Sequence, residues 1–495
     1  MMAKWFSGGD TSDLFHPILV KEVRQGIRAR SFVLTFISVH LIMIFILMGM
    51  VGTITSPDAH SSDLEGWTFF FWAVLFIPLL VILPLLGFGT IHREIEQKTS
   101  ELLFLTHLSS RGIVFGKWLA LATQALLFTV AIIPYFTLRF FLGGVDLLHE
   151  FTILFYLFLG SLLFIGAGLI VSPIAHRFVR ILLIIAYLLG LLIVLQASAF
   201  FFFAGDFLGS VYSGPNMFVI CGIILPLMLA LMLEYAAQRI APEAENHTVP
   251  KRLIGILLGS LVLTLAYLEV DGHEFYGFLA FLVIGLLVLD ALSEPPLRTM
   301  GALRVYRRFP KPLRFPSRLL IYPGWPQSLF FAVLLLGSLT PFAWMHNTPH
   351  DEALLIVSLL FGFFLFPFAF IYAIYPTNPA PLRLVFLLTL LQYLLGAMLN
   401  LTTLTPAVPD LTILGTFIPG AVFAYLTIND SLQEVTAYFP TLITTNILCL
   451  AYLIYKGRPF RRRLREMEYA LDHSPASPAE PPVPPPLKTP APDPS

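Results

Sequence analysis

The chain has 495 residues, 57% of them hydrophobic and only 12% charged, with a formal net charge of zero. Soluble domains are about a quarter charged, so this composition excludes an ordinary water-soluble globular protein and makes lipid the main solvent. Zero net charge says nothing about partners by itself, and no nucleic-acid partner is expected. Cys221 and Cys449 are the only cysteines and both lie in apolar runs, which suits inert structural thiols and no metal or disulfide framework.

Residues 1–31 are polar and mixed, and the apolar run after them is too long for a signal-peptide core. It reads as an uncleaved first span. A helix needs roughly 20 apolar residues to cross the hydrocarbon. In chain order, runs that meet this lie near 32–54, 67–91, 113–142, 151–172, 179–203 and 217–235, then 252–269, 275–292, 326–345, 352–375, 382–402 and 437–455. A further apolar stretch, 411–427, is broken by Pro419 and Gly420, because proline removes a backbone donor and clashes with the preceding turn.

Basic residues orient the spans through the positive-inside rule. Lys21, Arg24, Arg28 and Arg30 precede the first span, whereas Asp58, Asp63 and Glu65 follow it. Arg93, Lys98, Arg111 and Lys117 then mark a cytoplasmic connection, and Asp146 and Glu150 an outer one. The stretch 297–318 is basic with no acid, and a dense cluster from Lys456 to Arg465 closes the membrane part. Treating 411–427 as re-entrant or outer-surface keeps that last cluster inside. The expected fold is therefore an all-α polytopic membrane protein with about twelve spans in two six-span halves and both termini cytoplasmic.

The expected organisation begins with a cytoplasmic N-terminus at 1–31 carrying an interfacial helix. A first six-span domain at 32–235, a cytoplasmic linker at 236–251 and a second six-span domain at 252–456 follow. A basic, then proline-rich, disordered tail occupies 457–495. Visible outer loops are short and leave no room for a large external domain.

Few charges lie deep. Arg139 and Glu234 sit near span ends, where long side chains reach the headgroups, and His40 is the most interior titratable group. Pro78, Pro84, Pro134, Pro226, Pro341 and Pro367 interrupt spans, where bends are the usual consequence. Gly160, Gly166 and Gly168 permit close helix approach.

Two stretches stand out from the apolar background. In the first, from Phe15 to Arg28, Leu19, Val23 and Ile27 recur at helical spacing while Lys21, Arg24 and Arg28 occupy other faces. This is the pattern of an interfacial helix in the headgroup region. The second, Arg93 to Arg111, contains Glu94 four residues before Lys98, the better order for a helical ion pair. It forms a short amphipathic helix in which Glu101 shares the side of Glu94 and Ile95, Leu102, Leu105 and Leu108 form an apolar stripe. Ser109 or Ser110 is placed to cap the third span.

This second stretch resembles the membrane subunit of ABC-2-type transporters, permeases driven by a separate ATP-binding protein. The resemblance covers about residues 14–240. The family's pattern is matched by Glu94, Glu96, Thr99, Glu101, Leu102, Leu103, Leu105, Thr106, Leu108, Ser109, Ile113, Val114, Gly116 and Lys117. The chain departs from it at Lys98, where glycine is common, and at His107, where proline is common. The segment at 16–30 resembles the family's helix before the first span, and the second half holds no copy of the motif.

The resemblance implies that the connection after span two docks into a cleft on an ABC ATP-binding subunit. Glu94, Glu96, Thr99, Glu101, Leu105, Thr106, Leu108 and Ser109 would be docking residues rather than catalytic ones. It also implies a homodimer or a second permease as partner, membrane lipid around the spans, and a bacterial cytoplasmic membrane as the location. ATP would be bound only by the partner. The nearest string to a phosphate loop, Gly112 to Trp118, has three residues between its glycines and ends in tryptophan, whereas such a loop needs four and then Gly-Lys-Ser/Thr. No cofactor or catalytic residue is expected in this chain, so an enzyme reading finds little support. Two other classes stay open: an ion-coupled secondary carrier, which places charges near the midplane, and a membrane scaffold.

Overall fold

In a uniformly apolar chain, helices are bounded by prolines, caps and charges rather than by an amphipathic rhythm. The computed structural model describes residues 17–55, 61–96, 109–142, 146–173, 180–185, 187–191, 219–241, 245, 247–268, 273–296, 303, 322–340, 350–375, 384–385, 388, 391–392 and 439–473. Every regular element among them is helical.

Helix α1 (Pro17–Arg28) opens on a proline, whose missing N–H is no loss in a first turn. The chain breaks at Ala29, whose N–H donates to Gly26 O at 3.2 Å, and resumes as α2 (Arg30–Thr55). Helix α3 (Ser61–Phe76) passes through a π-helical stretch, Ile77–Ile82, into α4 (Leu83–Glu96). Prolines at 78 and 84 explain the change of winding. Pro84 has no N–H for the carbonyl of Leu80, four residues back, and the Tyr187 hydroxyl donates to that carbonyl instead. Leu83 N–H reaches back to Pro78 O, the i→i−5 pattern of a π turn. A second π stretch, Ile220–Ile224, precedes α7 (Leu225–Ile240), where Pro226 plays the same part.

Between these lie α5 (Ser110–Leu142) and α6 (Leu147–Val171), the latter capped by Asp146, whose carboxylate accepts from Leu148 N–H at 3.0 Å. Helices α8 (Thr248–Tyr267) and α9 (His273–Ser293) follow. Then come α10 (Trp325–Gly337), α11 (His350–Ile374) and α12 (Phe439–His473).

Seven segments among the described residues are long and apolar enough to span a bilayer: Arg30–Thr55, Gly66–His92, Ser110–Leu142, Leu147–Val171, Ile220–Ile240, Thr248–Tyr267 and Val357–Ile374. Large apolar side chains such as Leu34, Phe45, Met48 and Phe141 are exposed along them, the surface expected of a lipid-facing bundle. The protein is an all-α polytopic membrane protein.

The seven correspond to the expected first to fourth, sixth, seventh and tenth spans. The expected ninth differs: α10 stops at Gly337 after 13 residues, about 20 Å of helix, ahead of Pro341. The twelfth lies inside α12, which continues unbroken for 35 residues, about 50 Å. The basic stretch from 457, expected to belong to an irregular tail, is thus helical as far as His473. The broken stretch 411–427, most of 382–402 and the tail from 474 lie outside the described residues.

The chain divides into two compact units, one of Met1–Leu287 with Ser338–Ala353 and one of Val288–Gly337 with Leu354–Ser495. The division falls inside α9, not at the connection 236–251 expected as a linker. His247, Thr248 and Lys251 of that connection are buried in the first unit, and Lys251 Nζ donates to Gln238 Oε1 at 2.7 Å.

Burial from water does not drive helices together within lipid, so close van der Waals approach must. In the first unit α4 crosses α6 at glycines. A Cβ on Gly168 would lie 2.7 Å from Pro84 O, and one on Gly87 would lie 3.4 Å from Ile165 O. Phe71, Phe128, Ile132, Phe136, Ile165 and Leu169 fill the space beside this crossing, with Phe71 and Phe136 edge to face at 5.1 Å.

The second unit is organised around α10. Gly324 takes φ +108°, where a Cβ would lie 2.8 Å from Pro296 Cα, and Trp325 N–H donates to Glu294 O at 3.0 Å. The Trp325 ring stacks on Tyr372 at 4.1 Å. Tyr372 Oη donates to Leu292 O at 3.0 Å, and Arg461 Nη1 of α12 donates to Pro326 O at 3.2 Å.

Candidate functional site

The end of the first unit that carries α1 gathers polar groups from six helices. Its starting point is the first turn of α5. Ser109 Oγ accepts from Gly112 N–H at 3.2 Å, a capping bond that satisfies one of the orphan donors of the helix start. Ser109 is one of the two serines that the sequence places there. The other, Ser110, is fully buried and caps nothing. Its hydroxyl donates to Glu245 and lies 2.9 Å from His247 Nε2.

Arg111, next in the chain, forks onto Glu234 near the end of α7. Nη2 reaches Oε1 at 2.6 Å, and Nε reaches Oε2 at 2.9 Å and Oε1 at 3.1 Å. Such bidentate, charge-assisted pairs are the strong and geometrically specific ones. The arginine side chain is half exposed while the glutamate is buried, so the pair joins solvent to the interior.

His247, just before α8, completes the network. Nδ1 lies 2.9 Å from Glu234 Oε1 and Nε2 lies 3.0 Å from Glu245 Oε2. Carboxylates only accept, so the ring satisfies both at once only with a proton on each nitrogen. Burial alone would raise the carboxyl of Glu245, but hydrogen bonds from Ser110 and His247 outweigh it and hold the group below its ordinary value. The start of α5, the end of α7 and the start of α8 are thereby one polar unit.

The other three helices join nearby. Buried Lys117 of α5 reaches Glu22 of α1 at 3.4 Å. Gly26 of α1 lies so close to α5 that a Cβ there would meet Gln124 Nε2 at 2.3 Å. At the end of α4, the N–H groups of Ile91 and His92 donate to Ser172 Oγ at 2.9 and 3.3 Å, which ties α4 to the end of α6.

The residues expected to dock a partner are distributed as follows. Glu94 belongs to α4, and Glu96 ends it, exposed and paired with His92 Nε2 at 2.8 Å. Arg93 to Glu96 thus form the last turn of α4. Ser109 caps α5. Thr99, Glu101, Leu105, Thr106 and Leu108 lie outside the described residues, as does Lys98. Lys21, Arg24 and Arg28 are exposed on α1 and line a cleft of about 460 Å³ with Val20 and Gln25.

Two expectations are corrected. Glu234 does not extend toward headgroups but is buried between Arg111 and His247. Arg139, at the opposite end, is buried too: Nη1 donates to both oxygens of Glu150 at 2.8 Å, and Nη2 donates to Thr68 Oγ1 at 2.8 Å. Each is close enough to a partner of opposite charge that pairing replaces solvation. His40 is satisfied locally, with Nδ1 2.7 Å from Phe36 O.

Sequence reasoning missed Ser110, Glu234, Glu245 and His247 as a set. The signal available was weak: a polar connection with two acids and a histidine between apolar runs. Among the described residues no group of three or more His, Cys, Asp or Glu side chains is arranged to hold a metal ion. No protein-family model matches the chain, and neither does any curated protein or solved structure.

Proposed function

We propose that the chain is the membrane-spanning permease subunit of an ABC-2-like, ATP-driven transporter in a bacterial cytoplasmic membrane. The observation that carries this reading is the segment 93–117, whose residue order and position after the second span resemble the ATPase-docking connection of that family. In this reading the membrane part has twelve spans in two six-span halves, with both termini and the α1 end in the cytoplasm. A separate subunit binds and hydrolyses ATP, this chain performs no catalysis, and a second permease or a second copy completes the pathway.

The polar network supplies a route for the mechanical step. A partner pressing on 97–108 would act on the end of α4 and the start of α5 at once. From α4 the displacement passes to α6 through Ser172 and Gly168. From α5 it passes to α7 and α8 through Arg111 and Ser110, and to α1 through Lys117. The bidentate Arg111–Glu234 pair resists being stretched, so in this reading α5 and α7 move together.

Co-expression with an ABC ATP-binding subunit tests the reading. The wild-type chain is expected to copurify with that subunit and to stimulate its ATP hydrolysis. The E94K/E101K double variant should lose both while keeping its melting temperature. Equal copurification of the double variant would overturn the docking assignment.

A further inference from the structure

The geometry points to a binding site for the headgroup of an anionic phospholipid on α1, formed by Lys21, Arg24 and Arg28. Three observations converge on it. The three cations sit at positions i, i+3 and i+7, which share one side of a helix, and all three are exposed. With Val20 and Gln25 they line one open surface groove along α1, which an anionic headgroup can approach from outside. Among the described residues none of the three has an ion-pair partner, because the acid of α1, Glu22, is taken by Lys117 of α5.

The anchoring of α1 explains why these charges face outward together. Gly26 and Glu22 fasten the helix to α5, and Ile27 packs on the core of the first unit. That leaves the remaining side for Lys21, Arg24 and Arg28. Three like charges held so close repel one another, and an anion in the cleft relieves the repulsion.

The position selects a lipid as the source of that anion. Six residues after Arg28 begins the exposed apolar ridge of α2, Leu34, Ile37 and Leu41. A basic cleft followed at once by a lipid-facing ridge matches a molecule with an anionic head and acyl chains. Basic residues near an anionic bilayer surface act in this manner. The inference rests on the cytoplasmic placement of α1 proposed above, but it requires no ATPase, so the two readings fail separately.

The test uses the full-length protein in nanodiscs and a photoactivatable phosphatidylglycerol, with crosslinks mapped by mass spectrometry. Crosslinking is expected within 17–34, competed by unlabelled phosphatidylglycerol but not by phosphatidylcholine, and weakened by added salt. Each neutralised cation contributes about fivefold to affinity for the anionic surface, so K21Q/R24Q/R28Q should lose roughly a hundredfold in competition affinity. Equal labelling by a phosphatidylcholine analogue would overturn the proposal. So would competition by inorganic phosphate at the same concentration, which would indicate a simple anion site. The wild-type comparison of the two lipids decides the matter even where the triple variant fails to fold.

Discussion

The two ends of the first unit solve the same electrostatic problem in opposite ways. At the end away from α1, Arg139 and Glu150 are 11 residues apart in the chain, both are buried, and the pair staples α5 to α6. At the α1 end, Ser110 and Arg111 meet partners 123 to 137 residues away, on α7 and before α8. That network reaches solvent through half-exposed Arg111 and through Glu245. One end is a buried local clamp; the other is a long-range junction that reaches solvent.

Breaking the clamp should have the largest effect. R139M leaves Glu150 buried without its cation and is expected to destabilise the protein by ~3–5 kcal/mol, read as a lowered melting temperature in detergent. R139M/E150L, with apolar replacements on both sides, should recover most of the loss. Breaking the junction should cost less, because Arg111 is half in water. R111M is expected to lose ~2 kcal/mol and, unlike R139M, to uncouple ATP hydrolysis in the co-expressed complex.

The glycine crossing lies between these and the surface effects. G168A forces a Cβ to 2.7 Å from a backbone oxygen and should cost about 1–3 kcal/mol through the shift it imposes. A melting series of G168A beside G160A measures this, since a Cβ at 160 makes ordinary contact at 3.7 Å with a leucine methyl group.

Acid titration distinguishes the ends further. The folded carboxyl of Glu245 is held below its ordinary value of 4.5. A depressed value of this kind adds stability that is present above the ordinary value and is lost as pH falls through the folded one. Melting temperature is therefore expected to drop below about pH 4.5, and E245Q should flatten that part of the profile. The smallest effect on stability belongs to E96A. Its bond to His92 is an i,i+4 pair whose carboxylate stays in water and which is worth ~0.5 kcal/mol, so a large loss of ATPase copurification reports docking.

Much of this architecture is legible in the residues. The apolar runs locate seven spans to within a few residues, Ser109 or Ser110 is placed as a cap, of which Ser109 takes the role, and of Gly160, Gly166 and Gly168 the last makes the closest approach. The prolines at 78, 84 and 226 mark the right places, but their outcome is not legible. A freed carbonyl can be met by a bend, by water or by a π turn, and at Leu80 the choice depends on a tyrosine 107 residues further on. The polar network is illegible for a related reason. Glu234 and Arg139 at span ends satisfy the rule for side chains that reach headgroups equally well, and nothing local says that a counter-charge waits across the helix boundary.

The sequence by itself determined that this is a helical membrane protein and where most of its described helices cross, because twenty consecutive apolar residues admit few other fates in water or lipid. It also set out the basic and acidic connections from which an orientation is read. Only the tertiary structure decided which charges are spent inside and which remain available. Glu22, Lys117, Arg139, Glu150 and Glu234 are consumed in pairs, whereas Lys21, Arg24 and Arg28 are left facing outward. Pairing is a property of distance in space, and among apolar spans distance in space is set by how glycines and prolines let them cross.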